Sequence, residues 1–343
     1  MLTPRALHTA TLLENGTVLI AGGIANIPRD AIDSSEIFDP ARGVFLPSGT
    51  MTRARQQAVA VRLSDGRVLI ASGFGRGDDP FFLGHPIIDG GWGGYDPLDT
   101  AEIYNPMSRT FSSIGSTGFA HLIHSATLLD DGKVLLIDDD SAKLFDPAKG
   151  TFVPAGKPVV RRYSHAAAKL RDGRVLIACD GANEEERKSA EIYDPRSDRF
   201  TRTGDTLKLS ALCHAALLSD GRVLVTGRAG RDSEEAEVYD PKMGTFSSAG
   251  KLPYVLAEPV PSQLYDGRVL VTGVSIPFYP VHKDGLDAQL YDRKSNAFES
   301  IGAVPPDRSE YTSTTLTAGS VLIAGGEATE RPFYADASLL YCP

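Results

Sequence analysis

Counting eight residues back from each of seven regularly spaced glycines lands on His8, Ala58, His124, His165, Cys213, Pro259 and Tyr311. A one-residue change in that spacing substitutes Gln57 or His214. Imidazoles recurring at one position suit a divalent transition metal. Two acidic runs near them, Asp138-Asp139-Asp140 and Cys179-Asp180, could add carboxylates. His124, His165, Asp139 and Asp180 are therefore the metal candidates, and a divalent metal is the one cofactor considered, though none is required. The competing reading is that histidine is the default of a repeat and bonds a neighbouring loop wherever it occurs.

Three residues earlier stands a second series: Arg5, Arg55, His121, Arg162, Ser210, Leu256 and Arg308. Guanidinium groups there would hold a carboxylate or phosphate through forked hydrogen bonds. The sequence also offers them partners in Glu36, Glu102, Lys143, Glu191, Glu237, Gln289 and Ser338. Arg and Glu occur together in the first, second and fourth units and are both absent from the third and sixth, so most of these arginines are expected in ion pairs. Arg308 is the exception, because its unit offers Ser338, and it stands beside Tyr311. That makes Arg308 a carboxylate clamp and Tyr311 or His165 a base for proton abstraction. His8, His124 and Arg162 are the accompanying ligand contacts.

These residues need elements to position them. Each counted glycine sits in an Asn-Gly, Asp-Gly or Ala-Gly pair between apolar runs, as in His8–Gly23, HTATLLENGTVLIAGG. Such pairs favour hairpins with a type I′ turn. A third strand follows, exemplified by Ala190-Glu-Ile-Tyr-Asp-Pro195, and it stops where Pro removes a ladder donor. Seven residues beyond the aromatic comes a Phe in six units: Phe38/Phe45, Tyr104/Phe111, Phe145/Phe152, Tyr193/Phe200, Tyr239/Phe246 and Tyr291/Phe298. A constant interval across a turn predicts two rings side by side on a third and a fourth strand. Four-stranded units that bury little alone are expected to stack radially into a β-propeller.

With the glycine pair ending the second strand and the paired aromatics beyond it, the chain resembles a bacterial kelch-repeat propeller, also related to the central domain of galactose oxidase. It departs in having Phe where Trp is usual, and it keeps the full glycine pair only at Gly22-Gly23 and Gly325-Gly326. The resemblance implies an all-β, seven-bladed kelch-type propeller spanning 1–343 as one domain, with the first strands innermost. The residues counted above would then ring the mouth of the central channel. Tyr341 is followed only by Cys342 and Pro343, so the expectation is either a last blade that lacks its fourth strand or a parent protein longer than this chain. Galactose-oxidase copper chemistry needs paired tyrosines and histidines and a cysteine cross-linked to tyrosine, and nothing here reproduces that set.

The largest break in periodicity is the second blade's loop, 74–99, with Phe82, His85 and Trp92 among its glycines. Loops that interrupt a repeat cluster on the functional face. These aromatics fit either ligand contact or a lid packed on its neighbour. A net charge of −9, with no long basic run, argues against nucleic acid. No apolar run approaches the ~18 residues of a membrane span. Cys179, Cys213 and Cys342 are an odd count without metal spacing, which reads as free thiols and a cytoplasmic location. Two functions remain open. One is a scaffold binding a small molecule or protein partner at the channel mouth. The other is a lyase-, isomerase- or cyclase-type enzyme acting there on a small acidic or sugar-like substrate.

Overall fold

The computed structural model describes residues 1–25, 30–75, 97–229, 234–252, 256–275, 286–304, 308–328 and 338–342. Its strands form six four-stranded antiparallel sheets and one three-stranded sheet, with two separate short two-stranded ribbons. No helix occurs among the described residues. The first strands of these sheets are Thr9–Leu12, Val59–Arg62, Ser125–Leu128, Ala166–Lys169, Ala211–Leu217, Leu256–Gln263 and Thr312–Thr315. Each touches the next, and the last returns to the first, so they line a closed ring. The fold is an all-β propeller.

The second strands explain why the sheets stack. Val18–Ala21, Val68–Ala71, Val134–Ile137, Val175–Ala178 and Val321–Ala324 are buried along their whole length. A strand sandwiched between two neighbouring sheets has no solvent face, so it reads as continuous Val-Leu-Ile-Ala rather than alternating. Core clusters accordingly cross between sheets, as where Leu19, Ala21 and Ile37 meet Val68, Ile70 and Tyr104. Each fully buried large aliphatic side chain contributes about 1.5–3 kcal/mol.

The outer halves follow the expected register. Phe38 pairs with Phe45, Tyr104 with Phe111 and Tyr193 with Phe200 across the third and fourth strands. The six ring pairs lie 4.8 to 5.0 Å apart between centroids.

The hairpin turns differ from expectation. In the first, Leu13 N donates to Thr17 O and Gly16 N donates to Leu13 O. Gly16 takes φ 81° while Asn15 keeps a negative φ. A type I′ turn needs positive φ at both central residues. This is instead a three-residue loop, a type I turn closed by a left-handed glycine. The other Asp-Gly turns repeat it, and the Asp gains a second use: Asp65 Oδ1 accepts the Arg67 amide and Oδ2 pairs with its guanidinium at 2.7 Å.

The cysteines also differ. Cys179 and Cys213 are joined by a disulfide that ties the corner after the second strand of the fourth sheet to the first strand of the fifth. Only Cys342 is free, and it is exposed. The two positions lie 34 residues apart but face each other across neighbouring sheets, a proximity that linear spacing hides.

Candidate functional site

Arg5, Arg55 and Arg162 are 0%, 1% and 2% exposed, so whatever they bind is internal. Arg55 Nη2 lies 2.8 Å from Glu102 Oε1, and its Nη1 donates to Ser72 O at 2.7 Å and Thr100 O at 3.2 Å. The other oxygen of Glu102 accepts the Thr52 amide. Arg5 with Glu36, and Arg162 with Glu191, repeat the pattern. The ion pair therefore latches the loop leading into each blade onto the blade's own corner and third strand. Where arginine is missing the latch persists in other chemistry. Glu237 accepts three amides, from Leu207, Lys208 and Leu209. In the third sheet Lys143 replaces Glu and donates to Thr117 O instead. Arg162 is thereby committed to the scaffold.

The histidines divide. His8 Nε2 lies 2.9 Å from Thr312 Oγ1, and His165 Nε2 lies 2.7 Å from Ser125 Oγ. Both hydroxyls belong to the first strand of the preceding sheet, at the residue after its own ring position. These contacts are struts between blades, and the Ser125–His165 pair is the same strut rather than an activated nucleophile. Burial, with the nearby Arg5 charge, lowers the His8 pKa to about 3. Burial, then the charges of His124 and Arg162, holds His165 well below its ordinary value. Both rings are neutral at pH 7.

His124 breaks the rule. The preceding sheet offers it Val59, which has no hydroxyl. Its Nε2 turns to Asp139 Oδ1 in its own sheet, at 2.9 Å. Asp139 Oδ2 accepts from Arg161 Nη2 at 3.1 Å, and the Arg161 guanidinium lies 5.3 Å from the centre of the Tyr163 ring. Burial raises the Asp139 pKa, but hydrogen bonds from His124 and Arg161 and the charges of His124 and His121 outweigh it, leaving the carboxyl below its ordinary range. Tyr163 is 58% exposed, and 45% of the Arg161 side chain is exposed. The backbone changes here as well. Leu7, Gln57, Leu212 and Glu310, one residue before the ring position, adopt left-handed φ of 50 to 56°, whereas Ile123 and Ser164 do not.

The acidic residues nearby serve different ends. Asp138 Oδ1 accepts the amides of Asp140 and Ser141 and caps its own turn. Burial raises the Asp180 pKa, outweighing the lowering influence of the Leu212 and Cys213 backbone amides, and its Oδ2 is buried without a partner. His165 Nδ1 is likewise buried and unpartnered. Among the described residues no group of three or more His, Cys, Asp or Glu side chains could hold a metal ion. Of the expected set, the His124 and His165 rings meet edge to face with centroids 5.8 Å apart and Asp139 bonds His124, while His165 Nε2 is held by Ser125.

Tyr311 Oη donates to Thr272 Oγ1 at 2.8 Å, so its hydroxyl joins two sheets. The backbone of Arg308 pairs with Ala328, while its side chain lies outside the described residues. So do Phe82, His85 and Trp92, although the foot of their loop is fixed by bridges from Phe74 to Gln56 and Pro97. On the opposite face a basin of about 740 Å³ is lined by the hairpin turns of the fourth and fifth sheets. Asp172 and Asp220 there pair with Arg174 and Arg222 as in the other turns, so the repeat accounts for that charge.

Arg161 and Tyr163 do not stand out in the sequence until their own columns are compared. The equivalents of Arg161 in four other units are Pro4, Ala54, Ala120 and Leu209, and those of Tyr163 are Ala6, Gln56, Leu122 and Ala211. Both residues are departures of the kind that marks a site.

No family model matches the chain, and no curated protein matches its sequence. Among solved structures, a fungal alcohol oxidase of the AA5 family in complex with copper matches with a TM-score of 0.76 at 14% identity, covering 99% of this chain and 74% of that one. At that identity the likeness shows the fold alone, a β-propeller.

Proposed function

We propose that this chain is a seven-bladed, kelch-type propeller with a three-stranded last blade, and that it binds a small polar ligand at the channel mouth where the third and fourth blades meet. The observation that carries the reading is the His124–Asp139–Arg161 chain with Tyr163 beside it. Elsewhere at the mouth the described polar groups of the ring tie blade to blade. Here a histidine is released from that duty and a charged pair and an aromatic ring are left partly open to solvent. A ligand with hydroxyl or amide groups could hydrogen-bond to Asp139 and Arg161 while its apolar face rests on Tyr163.

The enzymatic alternative, acting on a small acidic or sugar-like substrate, draws support from Asp180. A carboxyl with a raised pKa and an unpartnered oxygen suits proton transfer. Tyr311 is less suited as a base, since its hydroxyl holds Thr272; His165 has Nε2 committed to Ser125 and only Nδ1 without a partner. The copper chemistry of the fungal neighbour does not fit the described residues. Cys179 and Cys213 are bonded to each other, and Tyr311 is engaged by Thr272. The disulfide also favours folding in an oxidising compartment, against the cytoplasmic placement drawn from free thiols.

A panel of small polar fragments, followed by amide and side-chain NMR shifts, tests the binding reading. Shifts are expected at His124, Arg161 and Tyr163, and they should vanish in Asp139→Asn and Tyr163→Ala. Fragments that move only the hairpin-turn face would refute it.

A further inference from the structure

The hairpin turns form a ring on the face away from the mouth, and one seam of that ring differs from the others in charge. The residue before each turn Asp stands against the turn glycine of the next blade: Ser64 on Gly132, Asp130 on Gly173, Arg171 on Gly221 and Ser219 on Gly267. Across the same seams a turn arginine reaches the next blade's outer turn. Arg67 Nη2 donates to Pro147 O at 3.4 Å, and Arg174 Nη2 to Pro241 O at 3.5 Å. Each seam therefore brings the residue before one turn Asp toward the second residue after the next blade's outer-turn Asp. These are Ser64 and Ala148 at the second seam, Asp130 and Arg196 at the third, and Ser219 and Lys294 at the fifth. Of these seams only the fourth, with Arg171 and Lys242, supplies two cations.

Both residues line the basin of about 740 Å³ between the fourth and fifth sheets, and the acids of that basin are already engaged. Asp172 pairs with Arg174, and Asp220 takes both Arg222 at 2.9 Å and Arg293 at 3.7 Å. Asp240 Oδ1 caps its own turn, accepting the amides of Lys242 and Met243. Arg171 donates through Nη2 to the backbone carbonyl of Ser219, which carries no net charge. Neither Arg171 nor Lys242 has a carboxylate partner among the described residues. We propose that this basin binds a phosphate group, with the Arg171 guanidinium and the Lys242 ammonium as its charge partners. A guanidinium fork matches two oxygens of a phosphate, and a dianion satisfies two cations where one carboxylate would leave an excess. The basin is larger than the anion, so free phosphate and phosphate carried on a small organic molecule share the chemistry it recognises.

The test titrates the full chain with inorganic phosphate, glycerol phosphate and glycerol at about pH 7.5, where phosphate is mainly the dianion. Side-chain NMR signals of Arg171 and Lys242 are the readout. Both phosphates should shift them and glycerol should not. Tighter binding of the ester assigns the site to an organic phosphate, and equal binding assigns it to the anion itself. Arg171→Ser, the residue that stands at this place in Ser64 and Ser219, should weaken phosphate binding about tenfold, as expected for one charge-assisted contact. Lys242→Ala, as at Ala148, should weaken it in the same direction. Both substitutions copy what other blades carry, so the thermal unfolding of the two variants should match the parent's. Two results would overturn the proposal: signals of Arg171 and Lys242 that neither phosphate moves, or folded variants that bind phosphate as tightly as the parent.

Discussion

His124 Nε2 bonds Asp139 Oδ1 at 2.9 Å within one sheet, whereas the equivalent rings of His8 and His165 reach across to a hydroxyl of the sheet before. The residue that decides between these outcomes is the one offered by the preceding strand: Thr312 and Ser125 carry a hydroxyl and Val59 does not. Val59→Thr, nearly isosteric, should therefore draw His124 into a strut. Deprived of that hydrogen bond, the Asp139 carboxyl should titrate at higher pH, which carbon-detected NMR of its side chain reads directly. An unchanged Asp139 titration would mean that His124 is held by something other than the missing hydroxyl.

The buried latches should dominate the effect of charge substitutions. Arg55→Ala leaves Glu102 buried without its cation and is expected to cost about 3–5 kcal/mol of unfolding free energy. Arg67→Ala removes a solvated turn pair with 37% and 47% of the side chains exposed and should cost less than about 1 kcal/mol. Urea denaturation of the two variants side by side checks the ranking, and similar losses would disprove the latch.

What could be read from the sequence follows from which interactions repeat. Arg and Glu co-occurred blade by blade, so their pairing was visible without coordinates, and the fixed Tyr–Phe interval gave the outer strand register. The hairpins were visible as hairpins, but their loop length was not, because Asn15-Gly16 serves a two- or a three-residue loop equally well. The Cys179–Cys213 bridge was hidden because it joins two different repeat positions, one at a blade corner and one on the ring. His124 was found by its position, but the reason it differs lies in Val59, 65 residues away in the sequence and adjacent only across two sheets.

The disulfide should be measurable in two ways. Thiol titration of the unreduced, denatured chain should find one free group, Cys342, and three after reduction. With its cysteines 34 positions apart, the bridge should contribute about 3–4 kcal/mol by restricting the unfolded chain. Cys213→Ala should lose roughly that amount under non-reducing conditions. Three free thiols before reduction would remove the bridge and with it the argument for an oxidising compartment.

Acid should destabilise the fold well above the carboxylate range. His8 has its pKa lowered from 6.5 to about 3 and His214 from 6.5 to about 4, both by burial, and burial lowers His165 in the same direction. Below pH 6.5 the unfolded chain takes up protons that these native rings refuse, so stability is full above that value and falls as pH drops toward the folded-state values. Each ring contributes a slope of at most about 1.4 kcal/mol per pH unit in that window. Asp180 acts in the opposite sense. Its raised native pKa means that the folded state holds a proton the unfolded chain has lost, so it weakens the fold as pH rises through that interval. Three rings against one carboxyl leave a net loss toward acid. His8→Asn, which can keep a hydrogen bond to Thr312 but does not titrate, should flatten the unfolding free energy measured between pH 6.5 and 4 by about one ring's share. A variant whose pH profile superimposes on the parent's would show that His8 is protonated in the native mouth, and that the strut to Thr312 does not depend on a neutral ring.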